Sequence, residues 1–189
     1  MKRRIQKITF VTSNKGKFGE AQQILDIPLK MVKHELDELQ SLNLEKIVKH
    51  KIEQAAKIVK EPFIVDDTGI YMHEWKGFPG PFVKFIYEQG GCELFLKMLE
   101  RTKSRKGYAL CVIGFYDGKT THIFTGKTNL TIAEKVRGSI GWGFDPIFIP
   151  EGQNQTYAEM GEVEKNKVNH RKKALQKLQQ FIKKNYILK

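Results

Sequence analysis

Three short segments carry residue types that can do chemistry. Asp66 and Asp67 follow the apolar run Phe63-Ile64-Val65 and precede Thr68-Gly69. Two adjacent carboxylates at the C-terminal end of a short apolar strand occupy the place where sheet proteins put functional groups. Magnesium takes one or two carboxylates together with waters and substrate phosphates, so the pair is a candidate metal centre. Taken alone, the same residues also read as a solvated acidic turn, the commoner use of such a sequence. The segment Thr12-Ser13-Asn14-Lys15-Gly16-Lys17 lies between an apolar stretch and residues at helical spacing, Phe18, Ala21, Ile24 and Leu25. A strand that ends in a polar turn and opens a helix offers backbone N–H groups and a positive dipole end, a seat for an anion. Ser13 or Asn14 can cap the helix, and Lys17 adds a point charge suited to phosphate. No complete GxxxxGK[ST] loop is present, so an ordinary N-cap beside a solvated lysine is an equal alternative. Finally, Trp142-Gly143-Phe144-Asp145 combines rings able to stack on a base with a carboxylate, and its glycine lets backbone approach a ligand. A hydrophobic turn packed on the core is the alternative there. Lys165, His170 and Arg171 open a basic segment whose other lysines read as a solvated face.

The elements that must position these residues follow from periodicity. Residues 5–12 read as a buried strand, residues 28–32 as a second short one, and residues 63–65 as a third that runs into Asp66. Leu44, Ile47, Val48, Ile52, Ala55 and Val59 give an amphipathic helix, which Pro62 terminates. The loop at 76–81 is too rich in Gly and Pro for regular structure. Residues 82–87 and 92–99 are predicted helices. Residues 108–115 and 121–130 are predicted strands, joined at Asp117-Gly118, a hairpin signal. A Gly-rich loop at 138–143 precedes a short apolar strand, and the last helix is predicted from about residue 166 to 185. Alternation of strand and helix together with a hairpin implies an α/β fold with a mixed twisted sheet flanked by helices.

The bulk numbers set limits. With 189 residues, 40% hydrophobic and 29% charged, the chain reads as one soluble domain, or one domain folded into two lobes. No apolar run reaches the roughly 20 residues that span a bilayer. The basic start, MKRRIQ, is followed by an apolar stretch too short for a signal peptide, so a cytoplasmic location is expected and no membrane partner. Cys92 and Cys111 show no metal-site spacing and are expected to be buried, inert thiols rather than a disulfide. The net charge of +12 raises the question of nucleic acid. Residues 165–189, however, hold nine Lys or Arg and no acid, while residues 1–164 hold 24 basic and 21 acidic residues. The excess is one C-terminal segment, which disfavours a nucleic-acid partner. A module that binds nucleic acid through that helix is the alternative from another class, distinguished by tight, salt-dependent binding without nucleotide hydrolysis.

The three segments together resemble the inosine triphosphate pyrophosphatase family, Ham1-like proteins that hydrolyse non-standard purine nucleoside triphosphates. The matching stretches are TSNKGKFGEAQQIL, FIVDDTGIYMHEWKGFPGPFVKFI and GWGFDPIFIPEGQNQTYAEMGEVEKNKVNHRKKAL. They stand in the family's order and cover most of the chain. The resemblance implies a single domain over residues 1–189 with two lobes and a substrate cleft between them. It implies hydrolysis of ITP, dITP or XTP to the monophosphate and pyrophosphate, by water attack on the α-phosphorus. Carried over, Asp67 is the base and a metal carboxylate, with Asp66 beside it and Glu38 as a further metal carboxylate. Asp37 stands where the family has proline, which loosens the match at Glu38. Thr12, Ser13, Asn14, Lys15, Gly16 and Lys17 would cradle the triphosphate, and Thr68 would help to position it. Trp142, Gly143, Phe144 and Asp145 would hold base and sugar, and Lys165, His170 and Arg171 would read the purine edge and phosphates. Ser13 replaces a frequent glycine and Asn169 a frequent serine. The implied cofactor is Mg2+, with Mn2+ as a substitute, and the implied assembly is a homodimer. The Maf-like pyrophosphatases, which prefer other nucleotides, are the nearer alternative; the Lys165-Asn166-Lys167-Val168-Asn169-His170-Arg171 run argues against them.

Overall fold

The computed structural model describes residues 3–188. In chain order the elements are β1 (Arg3–Ile5), β2 (Ile8–Val11), α1 (Lys15–Ile24), β3 (Leu29–Val32), α2 (Leu44–Ile58), β4 (Phe63–Met72), β5 (Pro79–Gly80), α3 (Val83–Met98), β6 (Lys106–Tyr116), β7 (Thr121–Ile132), β8 (Phe148–Pro150), α4 (Tyr157–Val168), α5 (His170–Asn185) and β9 (Tyr186–Leu188). The main sheet has the order β3-β2-β4-β6-β7-β8, with β5 added against β4. β2 lies parallel to both β3 and β4, whereas β4–β5 and β7–β8 are antiparallel. This is the mixed, twisted, helix-flanked α/β sheet that the sequence predicts. Among the described residues no helix is long and apolar enough to cross a membrane.

The described residues form two compact units. One holds those up to Asp67, Cys111–Gly126 and those from Arg171 on; the other holds Thr68–Leu110 and Lys127–His170. The first packs Ile8 and Phe10 of β2, Ile64 of β4 and Ile113 and Phe115 of β6 against Ala174, Leu175, Leu178 and Ile182 of α5. The second packs Ile70 and Met72 of β4, Leu130 and Ile132 of β7, and Phe95, Leu99, Ile147 and Tyr157. Each large apolar side chain so buried contributes about 1.5–3 kcal/mol. The hairpin at Asp117-Gly118 forms as expected: Asp117 Oδ1 accepts from the N–H groups of Lys119 and Thr120 at 2.8 and 2.7 Å, and Gly118 takes φ +93°.

Four expectations need correction. The strand predicted over residues 5–12 is two strands, β1 and β2, and β1 pairs in parallel with β9, Arg3 opposite Tyr186. A three-residue strand carries too little periodicity to read, so β9 had no sequence signal. The strand that reaches Asp66 does not stop there: β4 continues ten residues, through Asp66-Asp67-Thr68-Gly69 to Met72. Carboxylates sit inside this strand because cations meet them, as described below. The last helix is two. Asn169 is extended (φ −72°, ψ 161°), separating α4 from α5, and α4 is itself interrupted at Gly161 (φ +74°) after a capping box of Thr156 and Glu159. Of the two thiols, Cys111 is buried but Cys92 only half-buried. The two helices predicted around residue 90 are the two halves of α3, broken at Gly90 and Gly91.

The pairing of β1 with β9 is locked at its side by polar contacts. Tyr186 Oη donates to Asp117 Oδ2 at 2.8 Å, and Arg3 Nη1 donates to the Asp117 carbonyl at 2.8 Å. Burial, then the hydrogen bond to Asp117 and its charge, push the Tyr186 phenol up to about 12. A raised folded-state pKa stabilises the fold below the unfolded value and loses that stabilisation as pH rises through the folded one. The melting-temperature gap between wild type and Tyr186→Phe is therefore expected to hold from about pH 7 to 9 and to shrink from about pH 10 to 12. A gap unchanged through that alkaline window would remove the linkage.

Candidate functional site

In the first unit, the end of β2 delivers the polar turn to α1. The Thr12 N–H donates to the Val32 carbonyl at 3.0 Å, and Thr12 Oγ1 accepts from the Asn14 N–H at 3.1 Å. Asn14 is extended, and its Oδ1 accepts from the Lys17 N–H at 3.0 Å, so Asn14 rather than Ser13 is the N-cap. Lys15, Gly16 and Lys17 form the first turn, whose N–H groups have no helical acceptors. This is the polar turn opening a helix that the sequence predicts, and helix starts of this kind present N–H groups suited to anions.

Asp66 and Asp67 are consecutive on β4, so their side chains leave on opposite faces. Asp66 is buried. Its Oδ1 lies 3.0 Å from Lys17 Nζ and its Oδ2 3.0 Å from Arg171 Nε. Arg171 Nη1 in turn reaches Glu20 Oε2 at 2.5 Å. Burial works to raise the Asp66 pKa, but Lys17 and Arg171 outweigh it and hold the carboxyl at about 2. Burial works to lower the pKa of Arg171, and Glu20 and Asp66 raise it instead. The outcome is a chain of alternating charge, Lys17–Asp66–Arg171–Glu20, buried except at Lys17, in which both oxygens of Asp66 are engaged by side-chain cations.

Asp67 has different company. Its Oδ2 lies 3.0 Å from Lys51 Nζ, and the same nitrogen lies 2.9 Å from Glu38 Oε1. Lys51 belongs to the buried stripe of α2, with Leu44, Ile47, Val48, Ile52 and Ala55. Burial alone would depress its pKa, but Asp67 and then Glu38 raise it above the ordinary lysine value. Two carboxylates from distant positions thus converge on one cationic nitrogen. Hard oxygen donors gathered around a cation are the set that magnesium accepts, and the ammonium is a built-in monovalent occupant of that seat. Among the described residues no three or more His, Cys, Asp or Glu gather into a metal cage. An ion held here would be one that takes few protein ligands and keeps its waters.

The second unit gathers the other sequence candidates, Thr68 at its first residue, Trp142 to Asp145, Lys165 and His170. Asp145 Oδ2 accepts from Lys165 Nζ at 2.6 Å and from the Trp142 N–H at 2.9 Å. Lys165 Nζ stands 5.0 Å from the Trp142 ring centre. Gly141 has φ +99°, and a Cβ there would collide with the Asp145 carboxylate, so only glycine closes this turn. Phe144 is committed to the core, its ring centre 5.1 Å from those of Phe95 and Tyr87. For Phe144 the packing alternative describes the ring; Trp142 remains half-buried. Cys92 donates to the Gly143 carbonyl at 3.5 Å, and burial, then Glu93 and Asp145, push the thiol up to about 11. His170 is buried where α5 begins.

Two residues of these charge arrangements escape the motif reading, Glu20 and Lys51. Both had a signal. Each is a charged residue in register with a helix's apolar stripe, Glu20 beside Ala21 and Ile24, Lys51 beside Val48 and Ile52. A charge placed there must find a partner of opposite sign.

Comparison with known proteins places these features in context. The family model described as the Ham1 family matches residues 8–181. A protein of Thermococcus kodakarensis named dITP/XTP pyrophosphatase is 40% identical over 182 residues, covering 95% of this chain and 98% of its own. A protein of the same name from Pyrococcus horikoshii is 42% identical over 183 residues, covering 95% and 98%. The solved structure of the Staphylococcus aureus Ham1 protein superposes with a TM-score of 0.81 at 27% identity, over 95% of this chain and 99% of that one. With the family model spanning almost the whole chain and relatives at such identity over its length, the protein belongs to the Ham1 family.

Proposed function

We propose that the protein is a nucleoside triphosphate pyrophosphatase that hydrolyses non-standard purine nucleoside triphosphates, ITP, dITP and XTP, to the monophosphate and pyrophosphate. The relatives' names support the substrate class. The observation that carries the reading is the pair of neighbouring carboxylates with separate cationic partners: Asp66 holds Lys17 at the start of α1, and Asp67 meets Glu38 at Lys51. One arm presents a phosphate-binding helix start and the other an oxygen-lined cation seat. A hydrolase acting on a magnesium–triphosphate complex needs both.

In this mechanism Thr12, Ser13, Asn14, Lys15, Gly16 and Lys17 bind the triphosphate through first-turn N–H groups and the Lys17 ammonium, with Thr68 helping to orient it. Glu38 and Asp67 would hold Mg2+, or Mn2+ in its place. Asp66, with both oxygens engaged, positions Lys17 instead of joining them. When bound, the ion supplies positive charge against the triphosphate and the leaving pyrophosphate. Asp67 accepts the proton of the water that attacks the α-phosphorus, while Lys51 and Lys17 offset charge that builds as the anhydride bond breaks. Trp142, Gly143 and Asp145 hold base and sugar, and Lys165 and His170 present donors. Arg171 contributes through Asp66.

Side-chain ammonium groups only donate. They suit the 6-oxo group of hypoxanthine or xanthine and mismatch the 6-amino group of adenine. A buried donor left unpaired costs about 1–3 kcal/mol, or roughly 5- to 150-fold in kcat/KM for ATP against ITP. A pyrophosphate-release screen over ITP, dITP, XTP, ATP, dUTP and 7-methyl-GTP tests this. Activity on the 6-oxo purines with magnesium, abolished by EDTA and restored by excess metal, is expected. Preference for dUTP or 7-methyl-GTP, or full activity in EDTA, would overturn the proposal.

A further inference from the structure

Glu38 reaches Lys51 from the irregular stretch between β3 and α2, where no helix or strand holds it in place. Something else must fix its backbone if its carboxylate is to meet that of Asp67. Gln54, one turn after Lys51 on the same face of α2, grips the preceding residue at both ends. Its Oε1 accepts from the Asp37 N–H at 2.8 Å, and its Nε2 donates to the Asp37 carbonyl at 2.9 Å. The two bonds form a closed ring between one side-chain amide and one residue's backbone, so they fix orientation as well as distance. The next residue is Glu38, whose carboxylate then lands on Lys51. Gln54 and Lys51 therefore hold residues 37 and 38 from the same helix, one by the main chain and one by the side chain.

The identity of residue 37 enters this directly. The amide ring needs an N–H at that position. Asp37 supplies one, which a proline could not.

We propose that Gln54 is a positioning residue for the divalent ion: by clamping Asp37 it holds Glu38 where its carboxylate converges with that of Asp67, and so sets the affinity of the site for the ion. The inference rests on Glu38 and Asp67 being the ion's carboxylates. Gln54 acts through the Asp37 backbone, and it is not fully buried, so its removal is expected to spare the fold. Two hydrogen bonds of about 0.5–1.5 kcal/mol each correspond to roughly 5- to 150-fold in ion affinity if all of their energy holds Glu38 in place.

The test uses the full chain and Mn2+ as a paramagnetic probe, titrated against wild type, Gln54→Ala and Glu38→Gln, with free Mn2+ read by electron paramagnetic resonance. In parallel, the Mg2+ concentration for half-maximal ITP hydrolysis, and the KM for ITP at saturating Mg2+, are measured. Expected for Gln54→Ala are Mn2+ binding and half-maximal Mg2+ shifted at least about 5-fold weaker. The ITP KM at saturating Mg2+ and the melting temperature stay at wild-type values. If Glu38→Gln weakens Mn2+ binding and Gln54→Ala leaves it unchanged, the positioning role is wrong. If Glu38→Gln also leaves it unchanged, or wild type binds no Mn2+, the carboxylate assignment beneath it is wrong. A rise in the ITP KM of Gln54→Ala at saturating Mg2+ would make the clamp a general structural support, and would also overturn the proposal.

Discussion

Asp67→Asn is expected to lower kcat for ITP by roughly 10²- to 10⁴-fold, the range over which a positioned base acts, while the melting temperature stays close to wild type. Asparagine keeps the size of the side chain and a carbonyl oxygen within reach of Lys51, so packing and one hydrogen bond survive. It cannot take a proton from water at neutral pH. The fold tolerates the change because Asp67 is partly exposed and shares Lys51 with Glu38, which leaves that ammonium a carboxylate partner. Single-turnover pyrophosphate release, beside a thermal melt of the same sample, separates chemistry from folding. A variant turning over at the wild-type rate would refute the assignment of the base.

The second large effect falls on stability. Arg171→Met is expected to destabilise the fold by about 3–5 kcal/mol, the usual cost of removing one partner from a buried ion pair. Methionine roughly fills the space, so the loss is one of charge. Glu20 and Asp66 are both buried, and the guanidinium serves both. Without it, Glu20 and Asp66 both lose the guanidinium contact, and Asp66 keeps its ion pair with Lys17. A urea titration reads the change directly from the midpoint at unaltered slope. Adding Glu20→Gln removes one of the two buried negative charges and is expected to recover part of the loss, which makes the double variant more stable than the sum of the singles. A cost below about 1 kcal/mol for Arg171→Met would show that the charge chain carries little of the fold's stability.

The sequence made the sheet's interior legible because its strands and α2 repeat their apolar residues at a clear period. The hairpin at Asp117-Gly118 and the helix start at Asn14 were legible because each depends on one residue's side chain meeting nearby backbone. The extent of β4 was not. Asp66 and Asp67 read as a break because carboxylates are costly inside a strand, and only the tertiary arrival of Lys17, Arg171 and Lys51 removes the cost. That same fact separates the two aspartates, which are equivalent in sequence. Their neighbours come from residues up to 105 positions away, and no local pattern carries that information. Phe144 illustrates the reverse case. A ring beside a glycine looks available to a ligand, yet α3 supplies Phe95 and Tyr87 to cover it.

The pairing of β1 with β9 joins the first strand to the last among the described residues. A ribosome makes them in that order, so β1 waits for its partner while everything between the two strands is synthesised. Arg171 is equally late, and until it emerges Glu20 and Asp66 have no guanidinium between them. A chain that stops before Arg171 therefore carries the candidate base and both carboxylates of the cation seat but lacks α5, the side of the first core that α5 covers, and the neutralising cation. Such a fragment presents apolar surface and uncompensated acid together, a form that cellular proteases and chaperones remove. Interrupted translation would thus yield debris for degradation instead of a half-active hydrolase acting on the nucleotide pool.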